Sequence, residues 1–203
     1  MKRGIKHDFS LLALLLISVG VSLSVVGYQL SVILKLPVFV DQIGVYLVSM
    51  IAGPYVGAVT GLLGNVVNGM LSPVSIVFGL VSMTVGLLAG FFSRWKWYKN
   101  VVGIVAASAI ITVCTSVVAG VLQLFVFGGV TGSGVDLLTA AVVAAGNSLV
   151  QAVVGVNLVT GCITVIINWG ISMVIIHKIP DRFLIKLNYG MPYIKKKGGR
   201  NYE

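Results

Sequence analysis

The sequence predicts an all-α integral membrane protein with six transmembrane helices and both termini in the cytoplasm. Of its 203 residues, 58% are hydrophobic and only 9% are charged, whereas soluble domains carry about 25% charged residues. The apolar residues form long runs that are separated by short turns rich in Pro, Gly or charged residues. The chain is long enough for about six helices of about 20 residues, the length that crosses a bilayer.

The turns indicate where each span begins and ends. Pro37 ends the first apolar run, because a proline disfavours helix in the residue before it. Pro54 is suited to open a helix, since its missing N–H would be unpaired at that position. Ser72-Pro73 and a basic loop at residues 93–100 mark two further breaks. We therefore predict spans at about residues 9–33, 41–52, 54–71, 74–92 and 101–127, and a sixth span that ends near His177.

One apolar stretch, residues 135–154, is not assigned as a seventh span. It follows a Gly/Ser/Thr-rich loop at residues 128–134 and carries Asp136, Asn147 and Gln151. A seventh span would move the basic C-terminal tail to the outside, against the positive-inside bias. We predict an extra helix between spans 5 and 6 that lies at the outer surface or is partly re-entrant, which is tolerated where it packs on protein.

The basic residues predict the orientation of the spans. The 14 Lys and Arg lie at residues 2–6, 94–99 and 178–200, with Lys35 as the single exception. Six spans and a cytoplasmic N-terminus place all of them except Lys35 inside, as the positive-inside bias requires. We predict one membrane domain over residues 1–203, in which residues 1–8 and the basic tail 179–203 are cytoplasmic.

Several classes of function are excluded by composition and motifs. A nucleic-acid-binding protein would combine its basic residues with a polar folding face, and this chain has none. It contains no G-x-S-x-G, H-E-x-x-H or P-loop motif, so no hydrolase or ATPase site is predicted. No Cys/His cluster suggests a metal site. We expect no enzymatic activity, no cofactor and no bound metal.

Polar side chains at membrane depth are costly and are candidates for function. In this sequence they gather in the outer halves of the spans, whereas the inner halves offer little besides Asn168. A one-sided cluster predicts a binding cavity that opens to the outside, not a pore through the membrane. Asp41 has an alternative role as the N-cap of a helix. The pair Asn65 and Asn68 has an alternative role in hydrogen bonding to neighbouring helices. The candidates are Asp41, Gln42, Asn65, Asn68, Gln123, Asn147, Gln151 and Asn157.

Small residues recur at four-residue spacing, which allows helices to approach closely in lipid. Gly57 with Gly61, and Gly86 with Gly90, predict packing of spans 3 and 4 within the molecule. Span 1 carries two such pairs on neighbouring faces. One pair can pack internally, which leaves the other for a partner helix. These competing pairs are Ser18 with Ser22 and Gly20 with Ser24.

Two stretches resemble the substrate-binding (S) components of energy-coupling factor (ECF) transporters. Residues 36–44 read Leu-Pro-Val-Phe-Val-Asp-Gln-Ile-Gly, and residues 52–61 read Ala-Gly-Pro-Tyr-Val-Gly-Ala-Val-Thr-Gly. Members of the family commonly show the motif LPxFLD-x-IG. At the start of span 3 they then show GP, two hydrophobic residues, GA, one hydrophobic residue, any residue and Gly. Here Val40 replaces the usual Leu, and Gln42 and Val45 stand where small hydroxyl residues are frequent. These departures bear on which substrate is bound more than on whether the chain resembles the family.

The resemblance implies a multi-pass subunit of a prokaryotic cell membrane that captures a vitamin or related micronutrient from outside. Its pocket would be formed by the outer parts of spans 4 to 6 and by the loops after spans 1 and 3. It would dock on a transmembrane coupling (T) subunit that binds two cytoplasmic ATPases, and ATP hydrolysis there would topple it so that the pocket faces inward. The family docks through a small-xxx-small motif of span 1, for which Ser18 and Ser22 are the plausible equivalent.

Two other functions fit the same six-helix body. The first is a membrane sensor or interaction module without transport. The second is a stand-alone secondary transporter or channel, which the scarcity of ionisable groups in the inner half and the lack of an inverted repeat disfavour. A neighbouring gene for a coupling subunit would favour substrate capture, and one for a signalling partner would favour the sensor.

Overall fold

The computed structural model describes residues 8–187 and 189–194, and within them it contains eight α-helices, two short 3-10 helices and no strand. The predicted all-α class is confirmed. The cytoplasmic assignment of residues 1–7, and that of residues 195–203, falls outside the described residues. The α-helices are α1 (Leu11–Ile33), α2 (Ile43–Ala52), α3 (Pro54–Gly69), α4 (Val74–Arg94), α5 (Val101–Phe125), α6 (Gly134–Ala144), α7 (Leu149–Lys178) and α8 (Asp181–Leu184); the 3-10 helices are Trp97–Lys99 and Met191–Tyr193.

Four of these helices, α1, α4, α5 and α7, are long and apolar enough to cross a membrane. The other two predicted spans are shorter. With 10 residues, α2 is only about 15 Å long, against a hydrocarbon core of about 30 Å. Its residues from Gly44 to Ala52 are all buried, so α2 is a core helix and not a span with a lipid-facing side. Six complete spans, and the side on which each terminus lies, therefore stay predictions.

The segment between spans 5 and 6 differs in detail from the sequence prediction. The predicted extra helix is present as α6, but it ends at Ala144 and not near Val154. A turn with Gly146 at a φ of 95° breaks it, because a left-handed residue ends a helix. Ser148 then begins α7 with a capping box, in which its side chain accepts from the N–H of Gln151. Gln151 thus lies in the first turn of span 6.

The small residues of α3 and α4 lie at the contact between these two helices. A Cβ atom on Gly61 would lie 2.6 Å from the carbonyl oxygen of Ser82, and one on Gly86 would lie 2.6 Å from the oxygen of Gly57. A Cβ on Gly90 would meet the backbone of Pro54. The prediction that these glycines pack spans 3 and 4 together is therefore confirmed, and the backbones touch because no side chain separates them.

Polar side chains of α7 hold the segment that joins α1 to α2. Asn168 Nδ2 donates to the carbonyl of Phe39 at 2.7 Å, and Ser172 Oγ donates to that of Ile43 at 2.9 Å. Thr164 Oγ1 accepts from the N–H of Phe39 at 3.3 Å. The two bonds to Phe39 satisfy backbone groups that lie outside any helix, and the bond from Ser172 ties the first residue of α2 to α7. Together they help to fix the position of Asp41, which lies two residues before α2.

The first part of the predicted polar tail packs on the helix bundle. Leu184, Leu187 and Tyr189 are 1%, 2% and 7% exposed. The Tyr189 ring covers Gly53, whose φ of 113° and lack of a side chain leave room for it. Its hydroxyl donates to Asp8 at 3.2 Å. The tail is therefore a structural part of the membrane domain as far as residue 194.

We predict that Gly86→Ala destabilises the protein by about 1–3 kcal/mol, the usual cost of inserting a methyl group into a packed contact. The added carbon would push against the backbone of Gly57. Thermal unfolding of the detergent-solubilised protein measures the effect. Gly120→Ala in α5 is the matched control, because a Cβ there meets nothing within 4 Å. Equal melting temperatures for the two variants would contradict the prediction.

Candidate functional site

A cavity of about 560 Å³ opens at one end of the helix bundle. The C-terminal ends of α1 and α3 contribute to its wall, together with the first half of α4, the second half of α5 and the first half of α7. The segment from Lys35 to Gln42 and the loop before α6 complete it. Volumes of about 300–1,000 Å³ are typical of small-molecule sites, so the cavity is of the right size for such a ligand.

The deepest polar part of the cavity is a hydrogen-bonded network centred on Ser82. Ser82 Oγ accepts from Gln42 Nε2 at 2.8 Å and from Asn65 Nδ2 at 2.6 Å. Gln42 Nε2 also donates to Asp41 Oδ2 at 3.0 Å, and Ser75 Oγ donates to Asn65 Oδ1 at 3.1 Å. The segment before α2 is thereby joined to α3 and α4 by side chains that all line the cavity.

Three polar atoms of this region have no hydrogen-bond partner within the described chain. They are Asp41 Oδ1, Gln42 Oε1 and the Tyr46 hydroxyl oxygen. Asp41 and Gln42 are 6% and 8% exposed, so neither is solvated by bulk water. Asp41 is not an N-cap, since α2 begins after Gln42 and has no side-chain cap. Buried polar atoms without partners are costly, and all three residues line the cavity.

A second polar group lies on the opposite wall, between α5, α6 and α7. Gln123 Oε1 accepts from Asn157 Nδ2 at 2.9 Å, and Gln123 Nε2 donates to the carbonyl of Gly129 at 3.2 Å. Asp136 Oδ2 accepts from the N–H groups of Thr131 and Gly132 at 2.7 and 2.6 Å. The carboxylate of Asp136 thus serves the loop before α6, whereas that of Asp41 keeps one oxygen free.

Apolar and aromatic side chains form most of the remaining wall. Phe39 lines the cavity from the segment after α1, and Phe78 lines it from α4. The Phe78 ring stacks on that of Phe127 with centroids 5.8 Å apart, which fixes its orientation. Lys35 also lines the cavity; it is exposed, and its φ of 47° bends the chain where α1 ends. The cavity therefore combines an apolar enclosure with a few fixed polar groups.

Five of the eight predicted site residues line this cavity, and the structure brings them together from distant parts of the sequence. The three others do not line it. Asn68 is fully buried, and neither polar atom of its side chain has a partner in the described part of the chain. Asn147 and Gln151 are exposed and bond to nearby backbone, at Val142 and Ser148. The residues that line the cavity are Asp41, Gln42, Asn65, Gln123 and Asn157.

The sequence prediction named only amide and acidic side chains, so it did not include the hydroxyl residues of the cavity. On α7, Thr160, Thr164 and Asn168 follow one another at four-residue spacing and so share one helix face. All three are buried, and that spacing is a signal the sequence contains. No comparable signal distinguishes Asp136, whose role depends on the loop conformation. The missed polar residues of the lining are Tyr28, Ser31, Lys35, Tyr46, Ser72, Ser75, Ser82, Thr115, Ser116, Thr131, Ser133, Asp136, Thr160 and Thr164.

The two small-residue pairs of α1 lie on different sides of the helix. Gly20 and Ser24 are buried, and a Cβ on Gly20 would lie 2.7 Å from a methyl group of Thr60 in α3. Ser18 and Ser22 are exposed, and Ser22 Oγ donates to the carbonyl of Ser18 at 2.9 Å. Gly20 and Ser24 therefore pack within the molecule, and the face with Ser18 and Ser22 carries no other described helix.

We predict that Asp136→Asn loosens the loop before α6, because the amide replaces an oxygen that accepts from backbone N–H groups by an NH₂ donor. Backbone amides of residues 131–133 should exchange with deuterium about tenfold faster, as expected for the loss of a charge-assisted bond. Exchange mass spectrometry of the solubilised protein measures this. Asp181→Asn, at the other end of the molecule, is the control; unchanged exchange in Asp136→Asn would contradict the prediction.

The comparison with known families agrees with this geometry. The family model described as ECF transporter, substrate-specific component, matches residues 12–176, which include α2 to α6 and nearly all of α1 and α7. No curated protein and no solved structure shows significant similarity to the chain. The family consists of substrate-binding subunits of transporters, which are not enzymes. The match covers the whole cavity, and the chain belongs to the substrate-specific components of ECF transporters.

Proposed function

We propose that this subunit captures a vitamin or related micronutrient from outside the cell and delivers it inward with a separate ATP-driven coupling module. The observation that carries the proposal is the cavity of about 560 Å³ at one end of the bundle, with buried acceptors that lack partners. A capture protein for a scarce solute needs fixed polar groups within an enclosing apolar wall. The charge distribution supports an outward opening, since the basic residues that the structure describes, apart from Lys35, lie at the other end of the bundle.

The free atoms of the cavity indicate what the ligand must offer. Gln42 Oε1 is an amide oxygen, which accepts hydrogen bonds and cannot donate them. The same holds for Asp41 Oδ1 when Asp41 is ionised. A ligand that fits here carries N–H or O–H donors on the side that faces α2. Phe39 and Phe78 suit an apolar or heteroaromatic part of the same ligand. We infer a compact, partly aromatic molecule with at least two donors.

We further propose that α1 docks on the transmembrane coupling subunit through Ser18 and Ser22. Gly20 and Ser24 are occupied by packing on α2 and α3, so they are not free for a partner. Apolar side chains flank the serine pair, and Leu15 and Val19 are 61% and 51% exposed. A small-residue face with apolar neighbours suits close approach of a second helix in lipid. The coupling subunit would in turn bind two cytoplasmic ATPases, which supply the energy.

The ligand and its contacts can be tested by native mass spectrometry of the detergent-purified protein. We expect a vitamin-sized adduct, either co-purified or formed from a panel of added vitamins. Asp41→Asn should weaken its binding by at least tenfold, because a charge-assisted hydrogen bond is lost. Asn147→Ala is the control and should bind normally, since Asn147 lies outside the cavity. An empty protein across the whole panel would refute micronutrient capture.

Docking is tested by co-purification with the coupling module. We expect Ser22→Leu to reduce recovery of the complex strongly without loss of ligand binding, because the larger side chain prevents close approach. Thr84→Leu on α4 is the matched control, since the Thr84 hydroxyl also bonds to a carbonyl four residues earlier. If the two variants assemble equally well, the face with Ser18 and Ser22 is not the docking surface.

A further inference from the structure

A second cavity, of about 400 Å³, lies at the end of the bundle opposite to the first. It is formed by the end of α4, the Trp97–Lys99 turn, the end of α7 and the segment Pro192–Ile194. Nothing in the capture of a micronutrient requires it. Its described lining consists of Ser93, Lys96, Tyr98, Lys99, Met173, His177, Pro192, Tyr193 and Ile194.

The charge of this second cavity is one-sided. Lys96 and Lys99 line it with His177, and no acidic residue is among the described residues of its wall. Nδ1 of His177 lies 2.8 Å from the carbonyl oxygen of Met173, which can only accept, so Nδ1 carries a proton. The potential in the cavity therefore favours an anion.

A buried donor lines the same cavity. Tyr98 is 7% exposed, and its hydroxyl has no hydrogen-bond partner in the part of the chain that the structure describes. The neighbouring Tyr193 hydroxyl is already used, because it lies 2.6 Å from Ser93 Oγ, whose own proton goes to the carbonyl of Met50. Burial raises the pKa of both phenols, so each keeps its proton at neutral pH. The Tyr98 O–H is thus a donor in need of an acceptor.

The surroundings place this cavity at the level of lipid headgroups. It lies at the ends of α4 and α7, two helices that are long enough to cross a membrane. Trp95 is 59% exposed beside it, and Trp97 stacks on Phe92 with centroids 4.8 Å apart. Exposed tryptophans of membrane proteins lie at the membrane–water interface. Basic pockets between helices at this level are suited to anionic headgroups.

We propose that the second cavity binds the phosphate group of an anionic phospholipid, with Lys96, Lys99 and Tyr98 as donors. The two ammonium groups more than neutralise the single negative charge of the phosphodiester, and the Tyr98 hydroxyl donates to one of its oxygens. The lipid would join α4, α7 and the Pro192–Ile194 segment. This inference does not depend on the proposed micronutrient function.

Native mass spectrometry of the delipidated full chain tests the proposal, with phosphatidylglycerol or phosphatidylcholine added. We expect phosphatidylglycerol to be retained at least tenfold better, because both lipids have a phosphate but only phosphatidylglycerol has a net charge. The double variant Lys96→Asn with Lys99→Gln should lose most of this retention; Asn suits the left-handed φ of 62° at position 96. Lys178→Gln is the matched control, since Lys178 is basic and exposed but does not line the cavity.

Tyr98→Phe removes only the hydroxyl group and should weaken retention about tenfold, the usual effect of losing a hydrogen bond to a charged group. Unfolding temperatures of the variants in lipid-free detergent should match the wild type, which separates binding from folding. Equal retention of the two lipids would overturn the proposal, as would wild-type retention by Tyr98→Phe or an equal loss in Lys178→Gln. Displacement of the lipid by equimolar inorganic phosphate would assign the site to free phosphate and overturn the lipid assignment.

Discussion

The contact between Gly61 and Ser82 is the constraint on which the cavity of about 560 Å³ depends. Gly61 has no side chain, so α3 can approach the backbone of α4 at Ser82. At that distance Ser82 Oγ accepts hydrogen bonds from both Asn65 and Gln42. Gln42 in turn holds one oxygen of Asp41, and the other oxygen has no partner among the described residues. Close helix packing and the polar floor of the cavity are therefore one feature, since neither can change without the other.

The buried position of α2 follows from the same packing. A helix of 10 residues cannot cross a bilayer, and α2 is instead surrounded by α1, α3, α4 and α7. Hydrogen bonds of Phe39 with Asn168 and Thr164 replace the backbone partners that the segment before α2 lacks. In a medium without water, such bonds decide where irregular backbone can be tolerated. Here that irregular segment forms the base of the cavity.

The two ends of the bundle differ in charge and in what they can bind. The larger cavity has acceptors at its base and an apolar wall, and we expect it to suit a neutral or cationic donor of moderate size. At the other end, Lys96, Lys99 and Tyr98 offer donors in a smaller cavity next to exposed tryptophan. The face of α1 with Ser18 and Ser22 lies between these ends and is free for a helix. The proposed ligand capture, docking and lipid contact thus have separate surfaces on one small subunit.

The sequence by itself determined the helical class, the main breaks and five of the cavity residues. Helix formation in the long apolar runs, and the breaks at Pro37 and Pro54, depend on neighbouring residues in the sequence. Polar side chains are costly in lipid, which already marks Asp41 and Asn65 as unusual. Only the tertiary structure decided that Asn147 and Gln151 lie outside the cavity, because both are satisfied by local turns that composition does not reveal. It also decided which small-residue pair of α1 is internal, since pairs on neighbouring faces are equivalent until a second helix packs against one of them.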